Sequence, residues 1–221
     1  MHKKTVVVHS GGMDSSLCLA LAIKEFGADH VLSLSFDYSQ RHNNEINAAK
    51  HICSAWGVDH AAVNLECLSA LTADALTNSA QPISWGKEHA PSTLVVGRNG
   101  LMARLGAIHA HSLGADCIYM GVIEEEAREI GYRDCSKAYI ELKQQILRLD
   151  LGNPLFEIRT PLIDMSKAET LQLAHSLGIL DFLWENTVTC YNGVMKQGCG
   201  KCPACFLRNR GLEIAQKHLI K

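Results

Sequence analysis

The sequence predicts an α/β protein: a parallel sheet with helices on both faces, followed by a small four-cysteine module near the C-terminus. Three observations lead there. Continuous apolar runs of strand length alternate with stretches of helical periodicity along most of the chain, the pattern of strands buried on both faces. The first apolar run ends in a Gly-Gly turn that opens a serine-rich helix. Finally, four of the nine cysteines (Cys190, Cys199, Cys202 and Cys205) crowd into sixteen residues.

Taken in order, residues 5–9 (TVVVH) read as the first strand, 10–16 as a glycine-containing turn and 17–26 as a helix by its apolar period. A second strand is expected over 31–36, with a helix over 43–56 that Gly57 stops. The third strand is expected over 60–65. A helix follows over 100–113, closed by Gly114, and a fourth strand over 116–122. The remaining expectations are a helix over 136–149, a strand over 156–160 and a helix over 167–177 that ends at Gly178. Residues 72–97 are polar, long and weakly patterned, as a lid or binding loop would be. Trp85 and His89 in that loop are as well explained by loop anchoring as by ligand contact, so they stay outside the site. In open parallel sheets ligands lie beyond the carboxyl ends of the strands, where strand order reverses. That rule points to 10–16, 37–42 and 121–135.

At 221 residues, the chain exceeds one ordinary domain and falls short of two. The division expected is an α/β domain over 1–185 and a cysteine module over 186–221. Hydrophobic residues at 47% and charged residues at 20% exclude a disordered chain. A net charge of −2 gives no global field that would call for nucleic acid or a membrane surface. The charge is nonetheless uneven. Residues 186–221 carry six bases and one acid (Glu213), or +5, which leaves −7 for the first 185. The opening MHKKTVVVHSGG has an apolar run too short for a signal peptide or a membrane span, so a cytoplasmic location is expected.

The turn Ser10-Gly11-Gly12-Met13-Asp14-Ser15-Ser16 suits a phosphate. Adjacent glycines let backbone N–H groups converge on an anion, and a helix starting there adds its unpaired amides and positive dipole end. Ser10, Ser15 and Ser16 offer hydroxyls, and Asp14 is placed to hold Mg²⁺. No lysine follows the glycines, so the Walker pattern is absent, as is GxGxxG. The four clustered cysteines supply soft ligands at short spacing, and Gly198 and Gly200 permit tight turns between them. A closed tetrahedral Zn²⁺ site fits this set, and an iron–sulfur cluster is its chemical rival.

The string SGGxDS directly after a first strand resembles the pyrophosphate loop of the ATP pyrophosphatase (PP-loop) superfamily, whose members cleave ATP between the α and β phosphates. Further strings extend the likeness nearly end to end: Phe36-Asp37-Tyr38-Ser39-Gln40-Arg41-His42, Gly97-Arg98-Asn99, Thr160-Pro161-Leu162, Lys167-Ala168-Glu169-Thr170, Thr189-Cys190-Tyr191-Asn192-Gly193 and Gly198-Cys199-Gly200-Lys201-Cys202-Pro203-Ala204-Cys205. With them the chain resembles the 7-cyano-7-deazaguanine synthases of the queuosine (tRNA modification) pathway. The resemblance implies an adenine nucleotide α-hydrolase-like fold and a ligase that makes a nitrile from 7-carboxy-7-deazaguanine and ammonia. ATP, Mg²⁺ and one Zn²⁺ are the implied cofactors. Neither nucleic acid nor membrane is implied as a partner, and a homodimer is compatible with it.

By position, the resemblance makes His9, Ser10, Gly11, Gly12, Met13, Asp14, Ser15, Ser16, Leu17, Cys18 and Leu19 the ATP loop, with Asp14, Ser15 and Ser16 nearest the chemistry. It makes Cys190, Cys199, Cys202 and Cys205 the metal ligands and Arg98 a phosphate contact. Asp37, Gln40, Arg41, Tyr132 and Asp134 fall to the substrate. The segment Glu129–Ser136 departs from the family's usual Ser-Gly-Tyr-Pro-Asp-Cys-Arg, and Glu124, Glu125 and Glu126 upstream are unusually acidic. A relative that amidates another carboxylate, or a tRNA thiolase, is the alternative.

Overall fold

The computed structural model describes residues 2–86 and 88–219. Met1 (the head of the expected 1–185 domain), Lys87 (in the expected 72–97 loop), and Ile220 and Lys221 (the end of the expected module) lie outside the described residues. Five strands form one parallel sheet: β1 (Thr5–Val8), β2 (Val31–Asp37), β3 (Asp59–Asn64), β4 (Cys117–Met120) and β5 (Glu157–Arg159). Their order is β3-β2-β1-β4-β5. Thr5 of β1 pairs with Val31 on one side and Cys117 on the other.

Side chains alternate along the central strand, and both faces are covered. Val6 joins Ala103, Ala107 and Ala110 of α4 (Arg98–Ser112) and Ile140 and Leu147 of α6 (Lys137–Leu151). Val7 points the other way, into a cluster with Leu17 of α1 (Met13–Phe26) and Ile52 of α2 (Asn44–Trp56). Leu171 of α7 (Lys167–Ser176), Leu183 of α8 (Leu180–Asn186) and Ala215 of α9 (Pro203–Leu219) complete that cluster. The expected α/β architecture with helices on both faces is therefore present. The alanine stripe of α4 brings that helix close to β1, so that a Cβ on Gly106 would lie 3.1 Å from a Val8 methyl.

The elements that were not expected are short or polar: α3 (Glu66–Leu71), α5 (Glu124–Glu129), α8 and the long α9. Helix α9 packs against α7, and its Ala215 joins the core cluster on that face of the sheet. Residues 72–97 stay irregular where described, but they are stapled. Asp74 accepts N–H bonds from Leu76 and Thr77, while the Arg41 guanidinium donates to the carbonyls of Ala75, Ser79 and Gln81 at 3.0–3.2 Å. Trp85 anchors this loop by stacking on Phe206 and donating to the Lys201 carbonyl at 3.3 Å. Strand order reverses between β1 and β4, so their carboxyl ends open a crevice.

Candidate active site

A cavity occupies that crevice, walled by the 9–15 turn, the exits of β2 and β4, the start of α4 and the segment 188–191. Helix α1 begins at Met13, four residues before its apolar period does, and its N-cap Gly12 makes no side-chain cap. The first-turn amides are thus left for a ligand, beside the dipole's positive end. Gly11 adopts φ +85°, and a Cβ there would strike the Glu45 carbonyl and sit 2.8 Å from the Ala49 nitrogen. Glycine is what lets α2 press against the back of the turn. Ser10 Oγ and Ser15 Oγ lie 3.0 Å apart, and Ser16 Oγ donates to the Gly12 carbonyl at 2.8 Å. His9 is fully buried between Ser33 and Ser16, at 2.9 Å from each hydroxyl. Burial, and then nearby His60, pushes its pKa down to about 3, so the ring is neutral.

Of the residues expected in the ATP loop, His9, Ser10, Gly12, Met13, Asp14 and Ser15 line the cavity. Leu17, Cys18 and Leu19 point into the apolar core, where they fix α1 against the sheet. Gly11 and Ser16 lie behind the turn and shape it.

Sequence reasoning missed the charged cluster that meets this turn. The Lys167 ammonium, 2% exposed, donates to Asp14, and the Lys167 amide donates to Glu125 at 2.7 Å. Glu126 faces the same cavity, and burial holds its carboxyl up to about 7 although Lys167 pulls it down. Four buried polar side-chain atoms lack a partner among the described residues. Three of them, Asp14 Oδ1, His42 Nδ1 and Thr189 Oγ1, belong to cavity-lining residues. Buried polar atoms are normally satisfied, so this concentration marks a place built for a polar ligand. The KAET string was visible in the sequence, but nothing there linked Lys167 to Asp14, 153 residues away.

The expected substrate residues divide. Gln40, Arg41 and Tyr132 line the cavity, as does Arg98, which donates to the Tyr38 hydroxyl at 3.2 Å. The Tyr132 hydroxyl is bonded to Thr93 at 2.6 Å. Asp37 and Asp134 do not line it. Asp37 accepts the Ser39 amide at the end of β2, and Asp134, buried, accepts the Asn99 amide at the start of α4.

Glu45, which lines the same cavity, was also missed. Burial raises its carboxyl from 4.5 to about 7, partly offset by Arg98. A proton held to higher pH in the folded state adds stability below about 4.5, and that stability is lost as pH rises through about 7. Thermal melts across this window should show the wild type losing stability relative to Glu45→Gln. Parallel curves would contradict the assignment.

The four clustered cysteines converge: their sulfurs lie within 4.8 Å of one another, and they can hold a metal ion. Backbone amides of Asn192 and Cys199 donate to Cys190 Sγ, Cys202 N–H to Cys199 Sγ and Cys205 N–H to Cys202 Sγ, at 3.4–3.5 Å. Such N–H···S bonds orient sulfurs and favour thiolates, as ligands of a metal require. A Cβ on Gly198 would strike Cys205 Sγ. Arg208, 3% exposed, bonds the Gln197 carbonyl and stacks on Trp184, while Arg210 bridges Glu125 and Glu129. The segment is tied to the 10–16 turn by the Val188 amide, which donates to the Gly11 carbonyl at 3.0 Å.

A family model described as queuosine biosynthesis protein QueC matches residues 4–216. The chain belongs to the QueC family. Within it, the chain is 41% identical over 211 residues to the 7-cyano-7-deazaguanine synthase of Bacillus subtilis (strain 168), covering 96% of this chain and 94% of that one. Among solved structures, this QueC-family fold resembles NMN synthetase from Francisella tularensis, with a TM-score of 0.52, 15% identity and coverage of 97% and 87% of the two chains. It also resembles the NH₃-dependent NAD synthetase of Campylobacter jejuni subsp. jejuni, at TM-score 0.50, 17% identity and coverage of 81% and 66%. At such identities these two show the shared fold. Among the described residues no helix is long and apolar enough to cross a membrane.

Proposed function

We propose that this QueC-family chain is a cytoplasmic ligase that converts 7-carboxy-7-deazaguanine and ammonia into 7-cyano-7-deazaguanine, using two ATP molecules in one site. The observation that carries this reading is the near full-length identity to a relative of that name. The cavity supports it, with uncapped α1 amides, an unpartnered Asp14 oxygen and a buried lysine side by side.

In this reading the acid's carboxylate oxygen attacks the α-phosphorus of ATP, and pyrophosphate leaves into the Ser10–Ser16 turn. The turn's amides and Lys167 neutralise the charge that builds on it. Ammonia then attacks the acyl carbon, AMP departs with the carboxylate oxygen, and the amide remains. The amide oxygen attacks a second ATP, pyrophosphate leaves and the nitrogen sheds one proton; loss of AMP and the second N–H proton then leaves the carbon–nitrogen triple bond. Adenylation replaces a poor leaving group, hydroxide or oxide, with a good one both times. The protein's task is therefore to position the reactants and neutralise charge.

Asp14 and Glu126 are the residues that would hold Mg²⁺, which supplies further charge neutralisation on the phosphates. Glu45 is placed to take the proton that ammonia sheds. Gln40, Arg41 and Tyr132 are assigned to the deazaguanine substrate and Arg98 to phosphate. Asp37 and Asp134 support them from behind, at the end of β2 and the start of α4. The cysteine ion is read as Zn²⁺ with a structural role, fixing a module over 186–221 to a domain over 1–185. Four thiolates leave no coordination position open for chemistry.

Mass spectrometry of the product formed from 7-carboxy-7-deazaguanine, ammonia and ATP tests the reading. A nitrile is expected. An amide as the end product, or AMP release that needs a different carboxylate, would replace it with the corresponding amidating enzyme.

A further inference from the structure

Behind the ATP turn, four residues from four different elements bring polar atoms to one point: His9 just after β1, Ser33 of β2, Cys53 of α2 and His60 of β3. Cys53 Sγ lies 3.7 Å from His9 Nδ1 and 3.8 Å from His60 Nδ1. Ser33 Oγ lies 2.9 Å and 3.1 Å from the same two nitrogens. A tetrahedral zinc ion, with bonds of about 2.0–2.1 Å to nitrogen and about 2.3 Å to sulfur, needs neighbouring ligand atoms about 3.3–3.6 Å apart. These four separations fall within about half an ångström of those values, and the His and Cys ligand atoms all lie within 4.8 Å of one another.

Proton counting supports the same geometry. Ser16 spends its one hydroxyl hydrogen on the Gly12 carbonyl, so it accepts from His9 Nε2–H. His9 Nδ1 is therefore a bare lone pair facing the cluster. A hydrogen-bonded chain can run from His60 through Ser33 to His9, with the buried Cys53 thiol set against both imidazole nitrogens beside it. We propose that His9 Nδ1, His60 Nδ1, Cys53 Sγ and Ser33 Oγ form a second metal site, which takes a zinc ion independently of the 190–205 cluster. Two imidazoles and a thiolate make a donor set of borderline softness that suits Zn²⁺ and disfavours Mg²⁺ or Ca²⁺. On binding, the Cys53 S–H bond breaks, its proton goes to solvent, and the sulfur forms the bond to zinc. His60, half-buried at the sheet edge, offers the route in. Because His9 Nε2 holds Ser16, an ion on Nδ1 would fix the rear of the ATP turn.

The test measures zinc per full-length chain by plasma mass spectrometry, after equilibration with a small excess of Zn²⁺ and desalting. Two zinc ions are expected in the wild type and one in both His60→Gln and Cys53→Ser. Crystals of the wild type, measured across the zinc absorption edge, should show one anomalous peak at the 190–205 cysteines and a second between Cys53 and His60. The second peak decides the matter even if a variant folds poorly. A wild type without that peak overturns the proposal, as does a zinc count that is the same in the wild type and both variants; the hydrogen-bonded chain would then be the cluster's whole role.

Discussion

Lys167→Met is expected to lower ATP–pyrophosphate exchange, measured with the acid present, by about 10²–10³-fold, the usual cost of removing one aligned charge-stabilising donor from an active site. The reasoning begins with burial. The ammonium is 2% exposed and bonded to Asp14, so it cannot be replaced by water when the side chain is lost. Methionine preserves the length and the apolar stem while leaving Asp14 and Glu126 facing each other without a cation. Burial then holds the Glu126 carboxyl up without the opposing pull of Lys167, and in the proposed reaction the departing pyrophosphate loses a buried positive partner. Breaking a buried ion pair on one side also costs about 3–5 kcal/mol of stability. The exchange assay should therefore be paired with a melt. A folded Lys167→Met protein with wild-type exchange would show that the lysine serves structure alone. Asp14→Asn offers an independent check, because it keeps the shape of the turn while removing the lysine's partner.

Cys202→Ser should have the largest effect on stability. A closed structural zinc site contributes on the order of 10 kcal/mol to folding in small metal-bound modules. Cys202 is fully buried among the other three sulfurs, and its own amide bonds Cys199. A serine oxygen at that place is a harder and shorter ligand, and losing even about 4 kcal/mol would lower the melting temperature of a chain this size by about 8–16 °C. The measurement is a melt together with metal content. An unchanged melting temperature with the metal lost would mean that the ion does not hold the C-terminal segment.

Much of the fold was legible because its signals are local. The runs around Val6 and Ile118 are continuous and apolar, that around Leu34 alternates apolar residues with Ser33 and Ser35, and the long helices carry an apolar period. What escaped depended on distance or on short, polar sequence. Strand order could not be read, since nothing local shows that β4 returns to the far side of β1. Helices α3 and α5 are six residues each, too short for periodicity to register. In α9 Cys205, with Cys199 and Cys202 just ahead of it, drew attention to metal chemistry and away from a helix. The site divides along the same line. The Ser10–Ser16 turn and the four cysteines announce themselves by spacing within a few residues. Lys167, Glu45 and Glu126 become meaningful only when the sheet brings them to one crevice. Leu17, Cys18 and Leu19 share a motif string with the turn, yet helical geometry rotates them into the core.

One detail of the α7–α9 crossing reaches further than packing. A Cβ on Gly211 would press on the backbone and side chain of Lys167 at 2.9 Å, so the helix passes where only a bare backbone fits. Alanine there would strengthen α9 as an isolated helix by about 1 kcal/mol. Within the folded chain it would displace the ammonium that meets Asp14. Robustness of the part and competence of the whole thus pull in opposite directions at this residue, and efforts to toughen the protein by mending its weak helix positions should leave this one alone.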